Sequence, residues 1–257
     1  MIVDFYKFQA TGNDFIMIDD REKEFDMEDS SLIRSLCERR FGIGSDGLIL
    51  LQNHEEYDFD MIFFNSTGQR STFCGNGGRC IIAFAHLLEL FDNECRFMAY
   101  DGVHEGSIEV NIVSMKMADV EEVIVREDSV VLDTGSPHLV KLVDNVKNVN
   151  VLNKGRKLRF SKEFGDYGIN VNFAEVNEQI SIRTYERGDE MESLSCGTGS
   201  VATAIALYEI GKTDDKKINI HTTGGELKVS FNHDGKKYTN IWLSGESSVV
   251  YSGEFEC

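Results

Sequence analysis

The sequence predicts a mixed, strand-rich α/β (α+β) fold assembled from two similar halves. Three observations predict it. Short runs of apolar and β-branched residues recur between glycine-containing turns. Two longer segments are apolar nearly all round, as helices at the centre of a core are. A set of short motifs appears twice in the same order. A chain of 257 residues suffices for one large domain or two small ones, each with its own core.

In chain order, VDFYKFQATGNDFIMID reads as two strands around a Gly-Asn turn. Over residues 30–40, Leu32, Ile33, Leu36 and Cys37 share one helical face, and Gly42 is expected to end that helix. LILLQ and FDMIFFN are strands, and GGRCIIAFAHLLEL is the first apolar helix. GINVNFAEV and QISIRTYER form a hairpin about Asn177-Glu178. GSVATAIALYEIG is the second apolar helix, stopped at Gly211. ELKVSF and KKYTNIWLSG form a last hairpin on an Asp-Gly turn. Pro137 is the single proline, and no low-complexity linker divides the chain.

The formal charge is −18, with 44 acidic against 26 basic residues. A field of that sign repels nucleic acid and anionic lipid, so neither is expected as a partner. No apolar run approaches the length that spans a bilayer, and MIVDFYKF has no signal-peptide pattern. The expected setting is the cytoplasm.

Six cysteines are irregularly spaced and include no C-x2-C pair. Cys74 to Cys80 is too wide for a zinc knuckle, so no metal is expected. Taken singly, each cysteine reads as a buried thiol. Cys37 and Cys80 fall on apolar helical faces; Cys95 and Cys257 have no chemical context.

The repeat changes that reading for two of them. Cys74-Gly75-Asn76-Gly77-Gly78 recurs 122 residues later as Cys196-Gly197-Thr198-Gly199-Ser200. Thr11-Gly12-Asn13-Asp14-Phe15 recurs after 123 as Thr134-Gly135-Ser136-Pro137-His138. Gly42-Ile43-Gly44 matches Gly168-Ile169-Asn170, and Phe64-Asn65 matches Tyr185-Glu186. Four weak matches in one order make two related halves, each delivering the same loop to a shared cleft.

In both copies C-G-x-G opens an apolar helix. Such an end exposes unpaired N–H groups and a partial positive charge, which suit a carboxylate. It also favours thiolate in a cysteine placed there. Two tunable thiols on opposite sides of one bound carboxylate suit the inversion of a carbon beside that carboxylate. One group removes the α-proton and the other returns a proton to the opposite face. The loop N–H groups would hold the enolate-like charge.

Other patterns carry less. Gly42-Ile43-Gly44-Ser45-Asp46-Gly47 fits G-x-G-x-x-G but follows a helix and precedes a strand, the reverse of the dinucleotide fingerprint. Residues 197–202 fit the looser G-x-G-x-x-A, without the acidic residue that ribose binding wants. His138 by itself reads equally as a structural histidine and as a site residue.

With these residues in place, the chain closely resembles the diaminopimelate epimerase family. KFQATGNDFIMID, FGIGSDGLILL, FFNSTGQRSTFCGNGGRC, GSPHLV, GINVNF and YERGDEMESLSCGTGSVATA carry the resemblance over essentially the whole chain. It implies two pseudo-symmetric lobes, each a mostly antiparallel sheet or barrel wrapped around a central helix. Residues 1–118 would form the first lobe, joined by the tail 247–257, and residues 119–246 the second. It implies a PLP-independent, metal-free enzyme with no cofactor, a small amino-acid substrate, and often a homodimer. Cys74 and Cys196 are then the catalytic pair, and Gly75, Asn76, Gly197 and Thr198 bind the reacting carboxylate. Asn13, Asn65, Asn170, Glu186 and Arg187 hold the substrate's remaining groups, with His138 and Ser136 in support. The chain departs from some members at Gly47, where they have glutamine, and at Ser136, where they have asparagine. Ser66-Thr67 replaces the usual Ala-Asp. Two other readings stay open: a related racemase for a substrate such as glutamate, and a redox or binding protein with a Cys74–Cys196 disulfide.

Overall fold

The computed structural model describes residues 2–256, and Cys257 lies outside them. The chain divides into two compact units: Met1–Met115 with Gly245–Cys257, and Lys116–Ser244.

The first unit runs β1 (Ile2–Ala10), β2 (Asn13–Asp19), α1 (Ser30–Cys37), β3 (Gly47–Gln52) and β4 (Phe59–Asn65). It continues through α2 (Gly75–Leu87), β5 (Glu94–Ala99), β6 (Gly102–Glu109) and β7 (Ile112–Lys116). β1 and β2 pair antiparallel, β2 and β3 parallel, and β3 and β4 antiparallel. β4 then pairs parallel with β5, and β5 antiparallel with β6.

The second unit runs β8 (Val123–Val125), β9 (Val130–Asp133), β10 (Pro137–Leu142), α3 (Val151–Arg159), β11 (Asn170–Val176) and β12 (Ile180–Glu186). β13 (Met191–Ser193), α4 (Gly197–Glu209), β14 (Lys217–Thr222), β15 (Gly225–His233) and β16 (Tyr238–Glu246) follow. The pairing order repeats. β9 and β10 are antiparallel, β10 and β11 parallel, and β11 and β12 antiparallel. β12 and β14 are parallel, and β14 and β15 antiparallel. The last strand, β17 (Ser248–Glu256), returns to pair antiparallel with β1.

Each unit buries one helix. Asn76 through Ala85 of α2 are all buried, as are Gly197 and all nine residues from Gly199 to Leu207 of α4, with Thr198 between them partly buried. A helix submerged on every side has no polar face, which is why both segments lack amphipathic patterning. Val201, Ala202, Ile205 and Ala206 of α4 pack with Val140, Ile182, Ile220, Leu227, Val229 and Leu243 from the surrounding strands.

The backbone corrects three expectations. α1 ends at Cys37, with Glu38 already extended. Gly42 instead folds back onto the helix end: its N–H donates to Glu38 O at 2.8 Å, and a Cβ there would stand 2.0 Å from Ser35 O. α2 stops at Leu87 and does not run on to Leu90. The third concerns the repeat. Asn170 lies opposite His138, and Gly47 lies opposite Phe15, so the counterpart of Asn170 is Gly47 and not Gly44. α3 was not foreseen, since only Val151, Gly155 and Arg159 are buried, too narrow a stripe to read.

Candidate active site

Both buried helices begin in the same way. Cys74 precedes α2 with φ −120° and ψ 120°, and Cys196 precedes α4 with φ −121° and ψ 112°. The helical ladders start with Gly78 N–H to Cys74 O at 2.7 Å and Ser200 N–H to Cys196 O at 2.9 Å. The N–H groups of Gly75, Asn76 and Gly77, and of Gly197, Thr198 and Gly199, therefore lie ahead of the ladders, at the positive end of each helix. Glycine is required at 199, where a Cβ would stand 2.3 Å from Asn172 Oδ1.

Around Cys74 the partners are amides and charges. The Cys74 thiol donates to Asn13 Oδ1 at 3.7 Å, and Asn76 Nδ2 donates to the same oxygen at 3.2 Å. Asn13 Nδ2 donates to Asp46 at 2.5 Å, so the Asn13 amide is held from both ends. Asp46 also accepts from Arg39 at 2.9 Å, and Arg39 bridges to Asp14, itself paired with the buried Lys7 at 2.8 Å. Desolvation raises the Asp14 carboxyl, but the bonds from Arg39 and Lys7 outweigh it and hold the group at about 2.

Beneath this layer lies Arg79, wholly buried. Its Nη2 donates to Thr11 Oγ1 at 3.0 Å and to Asn76 Oδ1 at 2.9 Å. Nε and Nη1 have no partner among the described residues.

Around Cys196 the partners form a neutral column. Cys196 Sγ lies 3.5 Å from Thr198 Oγ1, which lies 2.9 Å from His138 Nε2. His138 Nδ1 lies 3.0 Å from Asn172 Nδ2, and Asn172 Oδ1 accepts from Thr184 Oγ1 at 2.9 Å. Burial, then the charge of Arg187, pushes His138 down to about 3, so the ring is neutral. With Asn172 donating to Nδ1, the ring proton sits on Nε2 and is donated to Thr198. The Thr198 hydroxyl proton is then directed toward Cys196. Thr134 Oγ1 fixes the same loop through Thr198 O at 3.0 Å.

Burial raises the Cys196 thiol well above its ordinary range, and the negative charge of Glu186 adds to this. Burial likewise raises Glu186. Two acids pressed together out of water each resist ionising. Asn170 stands one link away: its Nδ2 donates to Ser136 Oγ at 2.8 Å, and its Oδ1 accepts from the Arg187 N–H at 2.8 Å. The Arg187 guanidinium lies 4.1 Å over the Tyr167 ring.

Of the expected site residues, Asn13, Cys74, Gly75 and Asn76 come together in the first unit. Cys196, Gly197, Thr198, His138 and Glu186 come together in the second, with Asn170, Ser136 and Arg187 adjoining. Asn65 does not join the Cys74 cluster by a hydrogen bond among the described residues. Its Oδ1 closes a turn on Thr67 and Gln69. Asp46, Arg79, Asn172, Thr134 and Thr184 were missed. Arg79 was detectable as the one charged residue in the apolar stretch 75–85, and Asn172 as a polar residue set between Val171 and Phe173 in a strand. Among the described residues, no cluster of His, Cys, Asp and Glu side chains could hold a metal, no disulfide joins the cysteines, and no helix is long and apolar enough to cross a membrane.

Comparison with known proteins bears on this geometry. The model of the diaminopimelate epimerase family matches residues 5–123 and 130–250. The diaminopimelate epimerase of Flavobacterium psychrophilum is 51% identical over 249 residues, covering 96% of this chain and 97% of the relative. That of Aquifex aeolicus is 39% identical over 277 residues, covering 98% and 97%. Among solved structures, a phenazine biosynthesis protein of the PhzF family from Bacillus anthracis matches with TM-score 0.79 at 14% identity, over 100% of both chains. A hydroxyproline epimerase from Agrobacterium vitis matches with TM-score 0.68 at 12% identity, over 98% and 92%. These two share the fold.

Proposed function

The chain belongs to the diaminopimelate epimerase family, and from that premise we propose how its residues divide the reaction. The enzyme is an isomerase that interconverts LL- and meso-2,6-diaminopimelate. Cys74 and Cys196 are the acid–base pair: one thiolate takes the α-proton, and the other thiol returns a proton to the opposite face of the planar intermediate. The α-carboxylate is received by the N–H groups ahead of the two helical ladders, which also hold the charge that develops on it. Asn13, Asn65, Asn170, Glu186 and Arg187 take the substrate's ammonium groups and distal carboxylate. His138 and Ser136 position Thr198 and Asn170. The reaction serves lysine and cell-wall precursor synthesis in the cytoplasm and needs no PLP.

The single observation carrying this reading is the duplicated one: two cysteines with the same extended backbone, each at the start of a buried helix. The test is α-proton exchange and inversion of LL-diaminopimelate in D2O. Cys74→Ala and Cys196→Ala should each lose inversion by about 10³-fold or more, the scale of one missing acid–base group. Inversion surviving in either variant would remove that thiol from the mechanism.

A further inference from the structure

Arg79 is the only charged side chain buried in the apolar helix α2, and it has no carboxylate partner among the described residues. A buried guanidinium without a counter-charge is expensive, since desolvation is not repaid by an ion pair. Burial pushes Arg79 down only to about 10, so it stays charged at neutral pH. The anions that could answer it are thiolates on its own helix, as Cys80 and Cys74 both act to hold its proton. Burial pushes Cys80 up to about 12, which removes that candidate.

The surroundings leave Cys74. On β1 and β2, Lys7 and Asp14 are paired with each other, and Asp14 with Arg39 beyond. β3 carries no ionisable side chain, and the Asp60 carboxylate of β4 lies toward His54. On β6, His104 stacks 3.9 Å from Phe73 and pairs with Asp101. From β7, Met115 lies against Gly75 and Gly78, and strand alternation turns Lys116 to the other side. The bond from the Cys74 thiol to Asn13 favours keeping the proton, but a thiol is a weak donor at 3.7 Å. A full charge in a low-dielectric interior outweighs it.

We propose that Arg79 is a positioning residue of the Cys74 half-site: it orients Asn76 and supplies the built-in counter-charge for the anion formed at the start of α2, so that Cys74 is the thiol that ionises first. Val201 occupies the equivalent place in α4, and there Glu186 opposes ionisation of Cys196. The proposal rests on Cys74 being one of the two acid–base thiols.

The test reads the thiols directly, independently of turnover. The intact enzyme is alkylated with iodoacetamide, a neutral probe, across a pH series, and Cys74 and Cys196 are followed by peptide mass mapping. Arg79→Met should move the midpoint for Cys74 up by about one pH unit, slowing its alkylation about tenfold below both midpoints. Cys196 should not move, and Arg79→Lys should restore Cys74. An unchanged Cys74 midpoint in Arg79→Met, or an equal shift at both cysteines, would overturn the proposal. If Arg79→Met does not fold, a ¹³C-cysteine NMR titration of the native enzyme decides: Cys74 must ionise at lower pH than Cys196. Failure of Cys74→Ala to abolish inversion would count against the acid–base assignment, whereas the shift of the Cys74 midpoint in Arg79→Met judges Arg79.

Discussion

The two helix starts share a backbone but are supported by opposite chemistry. Under α4, Thr198 rests on His138, Asn172 and Thr184, a neutral hydrogen-bonded column reaching in from β10, β11 and β12. Under α2 the corresponding strand positions are Phe15, Ile49 and Phe63, all apolar, and Asn76 is held by Arg79 from within the helix itself. A repeat that keeps glycines and cysteines in place while exchanging what lies beneath them gives two thiols with one geometry and two electrostatic settings. That suits a reaction that starts and ends each inversion with one thiolate and one thiol.

The comparison can be broken most severely by making one column resemble the other. His138→Phe places the residue of the first unit in the second and takes the imidazole from both Asn172 and Thr198, leaving Asn172 Nδ2 only its longer bond to Leu139 O at 3.3 Å. Breaking the bond to the imidazole at each of these two groups costs about 1–3 kcal/mol, so the loss should be about 4 kcal/mol by denaturant titration. A loss below about 1 kcal/mol would mean that the column is not held by the imidazole.

Acid should expose the same residue. Unfolded His138 takes up a proton near 6.5, while the folded ring does so only near 3. Between those values the unfolded state binds the extra proton, so stability is full above 6.5 and falls as pH falls. From pH 6.5 to pH 4 this residue alone costs about 3 kcal/mol. The stability advantage of the native protein over His138→Gln, which cannot titrate, should shrink by that amount over the same range. A pH-independent difference would place the charge of His138 outside the account.

The smallest change sharpens the picture. Thr184→Val removes one hydrogen bond to Asn172 at nearly constant volume and should cost about 1 kcal/mol. The equivalent position in the first unit is Phe63, so Phe63→Leu there should disturb packing without altering any hydrogen bond to Cys74 or Asn76.

Much of the fold was legible because its signals are local. Apolar runs announced β3, β4, α2 and α4, and glycine at 211, with φ 65°, marked the end of α4 as expected. The cysteines and their loops were legible because a motif that recurs in order is improbable without a shared structure. α3 was hidden because it buries only a thin stripe against Tyr185, where Gly155 admits a close approach: a Cβ would stand 2.4 Å from the Tyr185 Cβ. The repeat was misaligned by three residues between Gly44 and Gly47 because similarity of letters was read where strand register decides equivalence.

By itself the sequence determined the architecture class, the doubled loop, the two thiols and the kind of reaction they can perform. Those follow from periodicity, glycine placement and the identity of the reactive groups, all of which are written along the chain. Only the tertiary structure decided which polar groups stand under each loop, that Asn65 is engaged in its own turn, and that Arg79 is buried without a carboxylate. Those depend on strand register and on the exclusion of water, and the free energy of a buried charge or hydrogen bond is set by neighbours far away in sequence.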